Sequence, residues 1–345
     1  MVGDFPILLI DGLNLFIRNF SICPDVSSKT GENIGGYVGF LRSVEKLANM
    51  FSPSEIYVIW EGGGSSKRKS LLKEYKKGKS PTKLNRFYED DIPQTDENKN
   101  FQLISLIKVL KTLPIKQVYV EDCEADDIIA NLIHRNEFKD KKIIICSSDK
   151  DYYQLLLSEN ITQYSFAKKI LIDKNLVKQE FEIPTINFCL SRTFVGDPSD
   201  NIEGMGGSGF KKITKNFPFL CEEKEYDLDY IFKYSEEQID NKSKQKDFFK
   251  KVLENKELII RNWKIMFLSD INISGTQNKK LDSILLSTLP KVDKLAMMRC
   301  LNEVGANNFD CDKLIFSIRN TQFSRKINPW IKKWLCQKIL VETKK

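Results

Sequence analysis

Acidic residues recur in this chain where carboxylates could act together. They are Asp11, Glu61, the run Glu124-Ala125-Asp126-Asp127, Asp149 with Asp151, and Asp197 with Asp200. Alone, each reads equally well as a helix cap or a solvated turn. Glu124, Asp126 and Asp127 suit a helix N-terminus, where the dipole favours negative charge, and Asp149 and Asp200 suit N-caps. Capping does not explain why acids follow four successive apolar runs. Carboxylates gathered at one place repel one another unless cations neutralise them. Hard oxygen donors favour Mg²⁺, with Mn²⁺ as a substitute. A set this large suits two ions about 3.5–4 Å apart, which activate a water and stabilise the leaving oxygen of a phosphodiester. With one histidine, His134, in the whole chain, histidine-based catalysis and histidine-rich metal sites are nearly excluded.

The elements that must position these acids are legible. Ile7–Ile10, Ile56–Trp60, Gln117–Val120 and Lys142–Cys146 read as strands. Between them, Gly39–Met50, Phe101–Leu113 and Asp126–Asn136 carry apolar residues at helical spacing. Strands alternating with helices predict an α/β fold whose central, mostly parallel sheet is covered on both faces. The acids then fall at the carboxyl edge, where such sheets bind ligands. Beyond Asp151 the pattern predicts a short helix, a hairpin of Ile161–Phe166 with Lys169–Ile172, and helices from Pro184. Residues 222–251 are strongly charged and read as surface helix or loop, and Gly275–Lys280 reads as a linker into a final helical segment. The expected division is an α/β core over 1–180 with an insertion at 62–100, a helical region over 181–275, and a helical extension over 276–345.

Composition narrows the class. At 345 residues, 41% hydrophobic and 29% charged, the chain has the make-up of a folded globular protein. A net charge of +7 permits a nucleic-acid partner without requiring one. Eight scattered cysteines without a CxxC pair read as reduced thiols, so a cytoplasmic location is expected. No run reaches membrane-spanning length, and no signal peptide is recognisable.

The stretches ILLIDGLN, CEADDIIANLI, ICSSDKDYYQLL and FVGDPSDNIEGMGGSG resemble, in order and spacing, the flap endonuclease and 5′→3′ exonuclease family. That family includes the exonuclease domain of bacterial DNA polymerase I and the ribonuclease H of T-even-type bacteriophages. The later stretch LENKELIIRNWKIMFLSDINI resembles the C-terminal part of the phage ribonuclease H, which implies a phage origin. The resemblance implies a PIN-like nuclease fold with Asp11, Glu61, Glu124, Asp126 and Asp149 serving one metal and Asp151, Asp197 and Asp200 a second. Asp127 matches a further acidic position of the microbial branch. Glu61 departs from the family pattern, which has Asp there.

From Lys67 to Arg86 the insertion carries nine Lys or Arg residues against one acid, Glu74. Charge runs are usually solvated, but here Arg68, Leu71 or Leu72, Tyr75 and Lys79 share one helical side. Arg68, Tyr75, Lys76 and Lys79 match the family's R-x6-Y-K-x2-R arch, which implies that Arg68, Lys76 and Lys79 clamp the scissile phosphate. Tyr75, Lys83 and Arg86 would contact the single strand, and 62–100 is expected to be mobile without DNA. Gly204, Gly206, Gly207 and Gly209, followed by Lys211 and Lys212, resemble the helix-three-turn-helix motif that grips one duplex strand, often with K⁺. Gly35, Tyr37 and Phe40 look like the wedge segment at the junction, although Tyr37 and Phe40 read equally as core.

Together these readings imply hydrolysis near the 5′ end of flapped or duplex DNA or of an RNA–DNA hybrid by a monomer. A sliding clamp and a single-strand DNA-binding protein are partners by resemblance only. Two rivals remain at this point, a small-substrate metal phosphatase and a catalytically silent junction-binding protein. The basic insertion argues against the first and the acidic set against the second.

Overall fold

The computed structural model describes residues 5–23, 26–78, 95–269 and 272–326. Six strands form one sheet: β1 (Ile7–Asp11), β2 (Glu55–Trp60), β3 (Lys116–Tyr119), β4 (Ile143–Cys146), β5 (Ile161–Ser165) and β6 (Ile170–Ile172). Their order is β3-β2-β1-β4-β5-β6. The first five run parallel and β6 closes the edge antiparallel. The hairpin read between 161 and 172 is therefore present, and its first strand extends the parallel sheet. Because β1 lies between β2 and β4, the chain winds outward to one side and then to the other. The crevice at such a reversal opens at the carboxyl ends of the strands, where Asp11 ends β1.

The central strands β1, β2 and β4 are buried on both faces, as their near-unbroken apolar runs require. Leu8, Ile10, Ile56 and Val58 pack toward helices Gly12–Ile22, Gly35–Phe51 and Thr95–Leu110. Ile7, Leu9, Tyr57 and Ile59 pack toward helix Ala125–His134. Glycines let the first two helices approach closely, since a Cβ on Gly35 would lie 1.6 Å from the Cys23 carbonyl oxygen.

Two regions differ from their sequence reading. The charged stretch 222–251 contributes helices Leu228–Asp240 and Lys246–Glu254, whose Ile231, Phe232, Phe248, Phe249 and Val252 are buried with Phe194 and Phe217. Its charges occupy only the outer faces of amphipathic helices. The expected linker at 275–280 is instead the start of helix Gly275–Leu286, held by a capping box in which Ser274 and Gln277 satisfy each other's backbone donors. Farther on, Met297, Leu301, Leu314 and Ile318 join the core that covers the first sheet face. Among the described residues, no helix is long and apolar enough to cross a membrane. The seven described cysteines form no disulfide with one another.

Candidate active site

Asp11 is the last residue of β1 and the N-cap of the helix that follows, accepting from Asn14 N at 3.1 Å. Its other oxygen accepts from Tyr152 Oη at 3.1 Å and Ser147 Oγ at 3.3 Å. Burial, then the nearby charges of Asp149 and Asp126, push Asp11 up to about 6, against the hydrogen bonds that favour its ionised form. Glu61 follows β2. Burial lifts it to about 8, with Lys76 opposing and Asp126, Asp11 and Glu124 adding to the rise. The extra methylene of Glu61 therefore still leaves its carboxyl within the field of the same acids.

Glu124 caps helix Ala125–His134 and is 1% exposed. One oxygen, Oε2, accepts from Tyr75 Oη at 2.8 Å, Lys76 Nζ at 2.8 Å and Arg68 Nη1 at 3.2 Å. Both oxygens of Asp127 face Arg68, at 2.6 and 2.8 Å, and Oδ1 also accepts from Asn272 Nδ2 at 3.2 Å. Burial and Asp126 push Asp127 up to about 6. Asp126 lies 3.6 Å from Arg68 Nη1. Burial disfavours the charge on Arg68, but Asp126, Asp127 and Glu124 outweigh it and raise its pKa.

The remaining acids come from the other side of the crevice. Asp149 caps the 3-10 turn Lys150–Leu155, and Gln163 Nε2 fixes the loop by donating to the carbonyls of Ser147 and Asp149. Burial raises both Asp149 and Asp151, and for Asp151 the charge of Asp149 adds to the rise. Arg192, on helix Thr185–Val195, reaches Asp151 Oδ1 at 2.8 Å and Asp197 Oδ2 at 2.6 Å. Asp197 caps the short 3-10 turn that carries Asp200, and Lys76 Nζ lies 3.9 Å from Asp200 Oδ2.

The nine predicted acids thus belong to one charge network. Among the described residues, however, no three of them are grouped so as to hold a metal ion as they stand. Arg68, Lys76 and Arg192 lie against these acids instead. By donor type the site fits a hard divalent cation, since the acids gathered here among the described residues offer only oxygen ligands, with no histidine or thiolate beside them.

The insertion differs from its reading. Arg68 and Tyr75 are each 4% exposed, so neither presents its side chain to a phosphate or a base in this arrangement. Arg68 on helix Ser66–Leu71 and Tyr75 in the turn after it point inward, where their donors satisfy Glu124 and Asp127, and Arg68 Nε also donates to the Ile265 carbonyl. Within residues 66–78 the buried side chains Arg68 and Tyr75 tie an otherwise largely exposed segment to the core. Lys79, Lys83 and Arg86 lie outside the described residues. Tyr37 and Phe40 are fully buried, which assigns their side chains to the core and not to a base-pair contact. Gly35 serves close helix packing.

The glycine turn keeps its exposed character. Gly204, Gly206, Gly207 and Ser208 line an open cavity of about 540 Å³ together with Val195 and Asn201. An added Cβ at Gly207 or Gly209 would meet nothing within 4 Å. Ser208 Oγ is buried without a hydrogen-bond partner among the described residues. Lys211 and Lys212 are exposed on helix Phe210–Asn216, and Lys251 Nζ donates to the Gly206 carbonyl at 2.7 Å.

Sequence reasoning missed Tyr152, Ser147, Gln163, Asn272, Arg192 and Lys251. For Arg192 the available signal was a cation five residues before Asp197. For Tyr152 it was a tyrosine directly after Asp151.

Residues 6–182 match the family model for the 5′-3′ exonuclease N-terminal, resolvase-like domain. The chain belongs to the 5′-3′ exonuclease family. It is 27% identical over 209 residues to a 5′-3′ exonuclease of Buchnera aphidicola subsp. Schizaphis graminum, covering 60% of this chain and 67% of that one. It is 31% identical over 208 residues to flap endonuclease Xni of Shewanella putrefaciens, covering 60% and 72%. Its fold resembles that of the bacteriophage T5 D15 flap endonuclease crystallised with DNA and metal ions, at a TM-score of 0.64 and 20% identity over 81% of this chain and 98% of that one. Within this family member, the matched region holds every predicted acid except Asp197 and Asp200, which helix Thr185–Val195 and its following turn bring to the same crevice.

Proposed function

We propose that this family member is a divalent-metal-dependent, structure-specific 5′-nuclease that hydrolyses phosphodiesters of DNA and RNA–DNA hybrids by a two-ion mechanism, with Mg²⁺ as the working ion. The observation that carries this reading is the shared charge network at the sheet's carboxyl edge, where Asp11, Glu61, Asp149 and Asp151 are all held above the usual carboxylate range. Carboxylates buried this close together cost stability when ionised, and the protein's own cations offset only part of that cost, so a bound cation would stabilise them. A divalent ion there supplies a Lewis acid for a water and for the leaving oxygen.

The chain's own groups divide the remaining work. Tyr152 and Ser147 orient Asp11 through its Oδ2, and Gln163 holds the loop bearing Asp149. Lys76 is partly exposed, so on leaving Glu124 it can meet a phosphate. Arg68 anchors the insertion through Asp127. Lys79, Lys83 and Arg86 would continue the basic path along the single strand. The glycine turn, with K⁺, Lys211 and Lys212, would hold one duplex strand without reading its bases. The T5 D15 enzyme, crystallised with DNA and metal ions, supports DNA as substrate. We infer removal of RNA primers and adjacent DNA during replication as the setting, in a phage-encoded enzyme.

The test uses a 5′-labelled flap and a labelled RNA–DNA hybrid, each with Mg²⁺ or with EDTA. Cleavage that requires Mg²⁺ and disappears in Asp149→Asn, with binding retained, is the expected result. Binding without cleavage in Mg²⁺ would sink the nuclease reading, and a fully active Asp149→Asn would sink the site assignment.

A further inference from the structure

Arg192 stands at the end of helix Thr185–Val195, and its own carbonyl accepts from the capping Gly196 N. From there its side chain turns back over the following loop. One arm is a well-formed hydrogen bond, Nη2 to Asp197 Oδ2 at 2.6 Å. The other differs. Nε lies 2.8 Å from Asp151 Oδ1, but the two atoms are misaligned, and each is buried without a hydrogen-bond partner. A contact this short is a strong charge attraction that leaves both groups incompletely satisfied. Arg192 is thus firmly held by Asp197 and only electrostatically engaged with Asp151.

A guanidinium fixed between two carboxylates does two things. It offsets their mutual repulsion when nothing else is bound, and it lowers the attraction they exert on any arriving cation. Because the Asp197 hydrogen bond can persist while the Asp151 contact breaks, the arginine need not leave for an ion to reach Asp151. We infer that Arg192 is a built-in counter-cation of the Asp151–Asp197 pair, which keeps the second divalent ion weakly bound and exchangeable. This rests on the metal-site reading above. Arg192 acts through the two acids and is a positioning residue.

The experiment titrates Mn²⁺ alone into the metal-free full-length protein by calorimetry, for the native chain and for Arg192→Gln and Arg192→Lys. Two classes of site are expected in the native protein. In Arg192→Gln the weaker class should tighten by about tenfold or more, because a full positive charge within contact distance has gone, while the tighter class stays unchanged. Arg192→Lys keeps the charge but cannot span both acids, so a smaller tightening is expected. An unchanged or weakened second class in either folded variant makes Arg192 a mere strut and overturns the inference. Should Arg192→Gln fail to fold, the lysine variant decides alone. A native protein that binds no Mn²⁺ overturns the metal-site reading itself, whereas native binding without tightening overturns only the role of Arg192.

Discussion

The two sides of the acidic crevice are neutralised in different ways. Glu124 and Asp127 receive their positive charge from Arg68 and Lys76, which lie 48 to 59 residues earlier on a separate folded segment. Asp197 receives its charge from Arg192, five residues away on the helix that leads directly into the same turn. The first arrangement ties an insertion to the core, so whatever displaces those cations also loosens the segment. The second is internal to one helix and loop, and its cation cannot depart. On the proposed reading, the charges of Arg68 and Lys76 are the ones that substrate or metal would exchange, and that of Arg192 is the one that would persist.

The sharpest way to break this contrast is to remove Arg68. Arg68→Ala leaves Asp127 buried without its bidentate partner, a defect that typically costs about 3–5 kcal/mol. Urea unfolding in EDTA should show a loss of this order, and Asp127→Asn in the same chain should restore part of it. Arg192→Gln should cost less, about 1–2 kcal/mol, because its contact with Asp151 is misaligned. Equal losses for the two arginines would erase the distinction.

Acidity tests the same contrast from the carboxylate side. Among the described residues, Asp11 and Glu61 form no ion pair with an arginine or lysine, and their folded pKa values are raised to about 6 and about 8. A raised carboxyl pKa means that the folded state binds more protons than the unfolded one between the two values. Stability in EDTA is therefore greatest at the acid end of that window and falls as the pH rises from about 4 to about 8. For Asp11 alone the change is at most ~3 kcal/mol. Melting temperatures measured across this range should decline, and Asp11→Asn or added Mg²⁺ should flatten the decline. A stability that increased steadily from pH 5 to pH 8 in EDTA would contradict the burial of these groups.

How much was readable beforehand follows from what each feature depends on. All five parallel strands were legible as short runs, and four of them carry acids at or just past their ends, because such runs report locally on a buried sheet edge. Glu61 was recognised as irregular and still falls in the network. The counter-charges were not legible, since no sequence spacing tells that Arg68 turns inward to Asp127 and not outward to a phosphate. That choice is made by burial against Ile265 and Met266, almost 200 residues later. In 222–251 the abundance of charge concealed Ile231 with Phe232 and Phe248 with Phe249, whose helical spacing was the better signal. At 275 the glycine suggested a linker, while Ser274 and Gln277 already spelled a capping box.

The exposed cations of the glycine turn provide the mildest test, and the one most specific to nucleic acid. Lys211, Lys212 and Lys251 lie around a turn with open space above Gly207 and Gly209, and none forms an ion pair among the described residues. Surface changes of this kind alter stability by no more than about 0.5 kcal/mol. If these lysines meet phosphates, each releases about one counterion on binding, so each alanine substitution should reduce the slope of log affinity against log salt by about 0.9 on duplex DNA. Fluorescence anisotropy across a salt series, with Ca²⁺ to hold cleavage back, measures that slope directly. Arg192→Gln in the same series should leave the slope nearly unchanged, because its charge is spent on Asp151 and Asp197. A fall in slope for Arg192 as large as that for Lys211 would place both cations on the DNA path and undo the separation of buried from exposed charge.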